Sequence, residues 1–200
     1  MPRPAEQYGA MRARTEERIR AAAVSLFARH GFAATGIRDV ARAAGISTGL
    51  VYRHHASKED LFDALVGEAT DGLDAVVDRL HDGDALREFT REVVAAIARD
   101  DRFAEFLLLM NQAFAVPGPP PRTAELAQRH RILLDVLAGL ATGDGDPRQR
   151  GVTYLAALSG LAAMRIALGD ALPVPEPGLI SGILLGPGSV ADPAISVPRE

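Results

Sequence analysis

Thr48, Gly49, Leu50, Tyr52, Arg53 and His54 fall within seven consecutive positions, and Lys58 follows shortly after. Residues of these types at this spacing can touch a polyanion in two ways. The Arg53 guanidinium has the fork that takes guanine O6 and N7 bidentately. Tyr52, His54 and Lys58 carry donors for phosphate oxygens, which fix register without reading sequence. Gly49 has no side chain to hold a partner's backbone away. Lys58 stands out further, as the one lysine beside 21 arginines.

Two short helices must position this set. The segment Thr35–Phe62 reads TGIRDVARAAGISTGLVYRHHASKEDLF. Ile37, Val40, Ala41 and Ala44 share one helical face, and Gly45 ends that helix with a tight turn. Ile46 plugs the angle, and Ser47 caps a second helix over 48–54 with Val51 turned inward. This is a helix-turn-helix, whose second helix enters the major groove with its N-terminal residues at base edges. Ser47, which opens that helix, is taken with the DNA-facing residues. A preceding helix starts near Thr15, carries the stripe Ile19, Ala22, Ala23, Leu26, Phe27, and stops at Gly31. Residues 1–14 read as a flexible arm whose Arg3, Arg12 and Arg14 suit a minor groove.

Charge supports the division. Residues 1–62 carry a net +4 and residues 63–200 a net −8, which the overall −4 conceals. A basic head on an acidic body suggests that the head meets the polyanion. Cysteine is absent, which excludes thiol catalysis, Cys-based zinc sites and disulfide scaffolds. The N-terminal stretch has no apolar signal region, and no apolar run reaches the ~18–20 residues of a membrane span. The expectation is a cytoplasmic protein with no membrane partner.

The residues from Gly31-Phe32 through Ile-Arg-Asp-Val-Ala (37–41), Ala-Gly-Ile-Ser (44–47), Gly-Leu-Val-Tyr (49–52) and Ser-Lys-Glu-Asp-Leu (57–61) resemble the DNA-binding head of TetR-type transcriptional regulators. The likeness covers about residues 15–66. It implies a homodimer on a near-palindromic double-stranded DNA operator, with a larger C-terminal domain that binds a small-molecule effector and dimerises. By position, Tyr52, His54 and Lys58 match the family's phosphate contacts. Arg38, Thr48, Gly49, Leu50 and Arg53 match its base or backbone contacts. Two residues depart from the pattern. Gly36 stands where the family has a capping Ser or Thr. His55 stands where Phe is usual, so it either packs neutral or adds charge near DNA.

The remainder also has helical period, over roughly 60–80, 85–99, 102–115, 122–141, 148–169 and 177–186, with no alternating strand pattern. The fold class is therefore all-α. The expected organisation is an arm (1–14), a three-helix head (15–60), a helical ligand-binding and dimerisation domain (61–186) and a loose tail (187–200). Phe103, Phe106, Leu107, Met110 and Phe114 form a stripe that serves as plain core or as cavity wall. Asn111, Gln112, His130 and Tyr154 are polar candidates beside it. The small residues of 152–168, with Leu179, Ile180, Ile183, Leu184 and Leu185, suit a seam between two copies. An effector in the C-terminal cavity would move the helix that begins at Ser57, and so reset the spacing of the two heads.

Catalysis finds no support. His81-Asp82-Gly83-Asp84 and Asp144-Gly145-Asp146 lack calcium-loop spacing and read as acidic turns. Ser159-Gly160 lacks a nucleophile elbow, and no phosphate loop or dinucleotide fingerprint is present. No catalytic residue, cofactor or metal is expected. The alternatives are a helical adaptor that binds protein, or an activator without ligand release.

Overall fold

The computed structural model describes residues 4–115, 122–142 and 144–186. Nine α-helices run through them: α1 (Pro4–His30), α2 (Ile37–Ala44), α3 (Thr48–Tyr52), α4 (Lys58–Arg79), α5 (Gly83–Arg99), α6 (Asp101–Gln112), α7 (Arg122–Leu140), α8 (Pro147–Leu168) and α9 (Pro177–Leu185). No strand occurs among the described residues.

The residues expected as a flexible arm are helical from Pro4. Thr15, expected as the cap of α1, lies inside it and donates its hydroxyl to the Met11 carbonyl at 2.9 Å. No breaker lies between Ala5 and Thr15 except Gly9, so the helix continues through exposed residues. Arg12 and Arg14 are exposed on it. Arg3 and the tail 187–200 lie outside the described residues.

Helix ends follow their sequence signals. Ser47, Ser57, Asp82, Asp100 and Asp146 each cap a helix by accepting a backbone N–H. The acidic turns are thus helix starts: Asp82 takes the Ala85 N–H at 2.8 Å, and this holds its carboxyl below the usual range. Gly45 ends α2 at φ 63°, ψ 39°, a conformation that costs any residue with a Cβ.

Head and body share one apolar core from Ile19 to Leu185. In the head, Phe27, Phe32 and Phe62 meet with centroids 4.8–5.6 Å apart, which is favourable aromatic packing. α4 starts in the head and runs into the body, where its broadest contact is with α7. The boundary expected at 60/61 falls inside this helix. α6 packs on α1 and on α8. Two helices, α4 and α6, therefore join the head to the body.

Candidate nucleic-acid interface and effector cavity

α3 is short because Arg53 is its last capping residue; it ends at Tyr52 rather than near His54. Ser47 Oγ accepts the Leu50 N–H at 3.2 Å, so its hydroxyl serves the helix start. Val51 is fully buried and anchors α3. The opposite face is open: Tyr52 is 54 % exposed, and Gly49 and Arg53 are exposed. A Cβ on Gly49 would meet nothing within 4 Å. Thr48 and Leu50 are half-buried. Arg38 is exposed on the first turn of α2.

Of these residues, Tyr52 and Arg38 border an open depression of about 530 Å³. Arg38, Tyr52 and Lys58 line it, together with Gly36 and Ser57, the caps of α2 and α4. Two helix N-termini thus point partial positive charge at a hollow whose lining sets Arg38, Arg42 and Lys58 against Asp39 and Glu59. Gly36 lacks a side-chain cap, but its N–H donates to the Asp39 carboxylate at 3.1 Å. Lys58 is held in place rather than loose. Its Nζ donates to the Phe32 carbonyl at 2.9 Å and lies 4.2 Å from the centre of the Phe32 ring. An ammonium has three donors, so two remain for an anion.

His54 does not face the hollow. Its Nδ1 lies 2.5 Å from Glu16 Oε2, and its side chain is 7 % exposed. This corrects its placement among the phosphate contacts: a carboxylate on α1 takes the ring inward. His55 is buried, with Nε2 2.7 Å from the other Glu16 oxygen and Nδ1 3.4 Å from Asp60 Oδ2. Where an aromatic ring would give only packing, His55 adds a hydrogen bond to Glu16 of α1. Glu16 was legible only as a first-turn acid of a helix placed too late. Arg18 is a second residue the sequence did not single out. Its Nη2 donates to the Ala44 carbonyl at 2.5 Å and the Gly45 carbonyl at 3.1 Å, capping α2 from α1.

In the body, α4, α5, α6, α7 and α8 enclose a cavity of about 450 Å³. Seven expected residues line it: Phe103, Phe106, Leu107, Met110 and Asn111 from α6, His130 from α7, and Tyr154 from α8. Phe114 does not. It is 45 % exposed and packs edge-on against the His130 ring, with centroids 5.4 Å apart. The chain leaves α6 at Gln112 for a 3₁₀ turn, which breaks the stripe one turn early. The Tyr154 hydroxyl is committed. Thr90 donates to the Leu86 carbonyl at 2.7 Å, so the Tyr154 O–H donates to Thr90 at 2.8 Å. Burial pushes the Tyr154 phenol up to about 12.

α6 faces two ways. Its cavity face carries Phe103, Phe106 and Met110. Its other face carries Glu105, which is 4 % exposed and accepts from Ser25 Oγ at 2.9 Å and Arg29 Nε at 2.5 Å of α1. Gln112 donates to the Ala28 carbonyl at 3.0 Å.

α8 is long and apolar enough to cross a membrane by length and composition, yet only 28 % of its apolar window is buried within the chain. Val152, Met164 and Leu168 are each about half exposed, and Ala156 and Gly160 are exposed between them. Their four-residue spacing makes one stripe along the helix. Leu179 of α9 is 69 % exposed.

Residues 19–65 match the model of the bacterial regulatory proteins of the tetR family. The chain is 36 % identical over 126 residues to the HTH-type transcriptional regulator Rv1816 of Mycobacterium tuberculosis, a match that covers 58 % of this chain and 53 % of that protein. It is 45 % identical over 51 residues, 26 % of each chain, to the HTH-type transcriptional repressor KstR2 of the same organism. The chain thus spans about half the length of the first of these relatives. In fold it is similar to the MbdR regulator from Azoarcus sp. CIB, with a TM-score of 0.67 and 20 % identity, over 86 % of this chain and 97 % of that one. The SmeT–triclosan complex gives a TM-score of 0.59 and 20 % identity, over 92 % and 99 %.

Proposed function

We propose, from the premise that this chain is a TetR-type regulator by its head and its fold, that it is a homodimeric repressor which leaves its operator when a small molecule fills the body cavity. The observation that carries DNA binding is the open face of α3 beside the hollow with two helix N-termini. Arg53 reads a base edge, Gly49 admits the DNA backbone, and Tyr52, Arg38 and Lys58 hold phosphates. Repression is the sign that the KstR2 relative, itself a transcriptional repressor, supports. Operator DNA places the work in the cytoplasm.

The exposed stripe of α8, with Leu179, supplies the dimer face. Small residues at 156 and 160 let two copies approach closely, and burying the stripe removes apolar surface from water. The two α3 helices then address successive major grooves, ~34–36 Å apart. The switch runs through both helices that join head to body. α4 lines the cavity with Leu73 and Val76 and begins at Lys58. α6 lines it with Phe103 and Met110 and grips α1 through Glu105. A ligand shifts the heads only by its differential affinity for the two arrangements.

Selection of bound duplexes from a random pool tests this reading. An inverted-repeat consensus that disappears for the Tyr52→Ala, Arg53→Ala double variant is the expected result. Enrichment of no sequence by the parent chain, or the same consensus from the variant, overturns it.

A further inference from the structure

We propose that the body cavity takes an uncharged, mostly hydrocarbon molecule bearing one hydroxyl, whose proton is donated to His130 Nε2. This assignment of ligand class rests on the reading of the cavity as the effector site.

The walls exclude charge. Arg79 and Glu92 are the charged residues that line the cavity, and they face each other at 2.7 Å with each side chain about half exposed. Arg79 also lies over the Phe89 ring, 5.9 Å from its centre. The pair sits at the solvent side and is neutral as a unit. A charged head group meets no unpaired opposite charge there, and moving it further in would take it out of water with no partner. Deeper in, the walls are Phe106, Met110, Leu133 and Leu137. Such surface rewards hydrocarbon and nothing else.

One polar group of the wall has its role set by a bond it already makes. The Tyr154 hydroxyl is spent on Thr90. His130 Nδ1 lies 2.9 Å from the Leu126 carbonyl, which can only accept, so the neutral ring carries its proton on Nδ1. That leaves Nε2, on a ring that lines the cavity, as the remaining acceptor. The Phe114 edge contact holds the ring in that orientation. Asn111 and Ser159 add polar but uncharged edges. A ligand hydroxyl satisfies Nε2, whereas an ether or ester oxygen offers it no proton.

Four probes separate these contributions: 1-decanol, decyl methyl ether, decanoate and decylammonium, titrated calorimetrically into the full chain at pH 8. The alcohol is expected to bind at least about fivefold more tightly than the ether, the worth of one modest hydrogen bond. It is expected to bind about tenfold or more tightly than either ion. His130→Phe removes the preference for alcohol over ether, with folding checked by circular dichroism. The comparison on the parent chain stands whether or not that variant folds. An ether that matches the alcohol, an ion that matches it, or an alcohol that fails to bind at millimolar concentration overturns the assignment. Operator affinity with and without decanol is a separate readout. Selective binding that leaves DNA affinity unchanged sinks the effector reading and keeps the ligand class. Release of DNA by all four probes alike does the reverse.

Discussion

Glu105 of α6 accepts the Arg29 guanidinium of α1 at 2.5 Å while almost wholly buried. The same helix presents Phe103 and Met110 to the cavity. A displaced cavity wall therefore pulls on a charged hydrogen bond to the head. Charged hydrogen bonds are worth more than neutral ones, but Arg29 is 39 % exposed, so screening reduces the gain. A double-mutant cycle of Glu105→Gln and Arg29→Ala in chemical denaturation is expected to return a coupling of about 1–2 kcal/mol. A coupling near zero would remove this link from the proposed switch.

The turn between α2 and α3 rests on Gly45. Its φ of 63° suits glycine, and a Cβ there would lie 2.9 Å from Arg18 Nη2, the group that caps α2. Gly45→Ala is expected to cost about 1–3 kcal/mol of stability. Gly49→Ala is the control. Its Cβ meets open space, so stability holds or rises by up to about 1 kcal/mol, while DNA affinity falls because the backbone approach is blocked. Equal stability losses in the two variants would contradict this division of roles.

On the proposed reading, Arg53 and Lys58 act differently on DNA. Arg53 is exposed at the end of α3, and its replacement by Ala is expected to relax one base position at a cost of ~1–3 kcal/mol. Lys58 is fixed over Phe32 beside two helix starts. Lys58→Ala is expected to weaken binding to all sequences alike and to lower the salt slope by about 1. Equal, sequence-independent losses in both would show that Arg53 reads no base.

Much of this was legible because local signals and the global fold agree. Gly45, Ser47, Ser57 and the acidic caps mark helix ends through backbone chemistry that needs no tertiary partner. The stripe of α6 reached the cavity because helical period fixes which residues share a face. What failed depended on distant partners or on local signals that do not belong to helix ends alone. Nothing near His54 in sequence reveals that Glu16 would turn its ring inward. The start of α1 was placed at Thr15 because a capping residue followed by acids also occurs inside helices. Phe114 kept the period of its stripe, but the backbone left α6 before it.

Tyr154 offers a test of cavity packing by pH. Its phenol is pushed up to about 12 by burial, above the ~10 of an unfolded chain. A raised pKa means that the folded state favours the protonated form. The linked stability is thus complete below pH ~10 and is lost as pH rises through about 12. The difference between ultraviolet titrations of the parent and of Tyr154→Phe is expected to be one phenolate step near pH 12. A difference step near pH 10 would mean that water reaches the hydroxyl and that the wall is open.

The exposed face of α8 makes the last prediction. Met164 is 54 % exposed in the middle of the stripe from Val152 to Leu168, and Gly160 beside it has open space where a Cβ would stand. A charge at 164 costs the single chain little, because that position already meets solvent. In a dimer built on this stripe the same charge is buried against its own copy across the two-fold axis, which repels and desolvates both. Met164→Glu is therefore expected to sediment at the 21.2 kDa of one chain, with helicity and melting cooperativity retained, while the parent sediments at twice that mass. Operator binding then weakens steeply, since each head must find its half-site alone and the effective concentration supplied by the partner is gone. A variant that stays dimeric would move the interface off α8. A monomeric variant with undiminished operator affinity would show that the heads do not need each other.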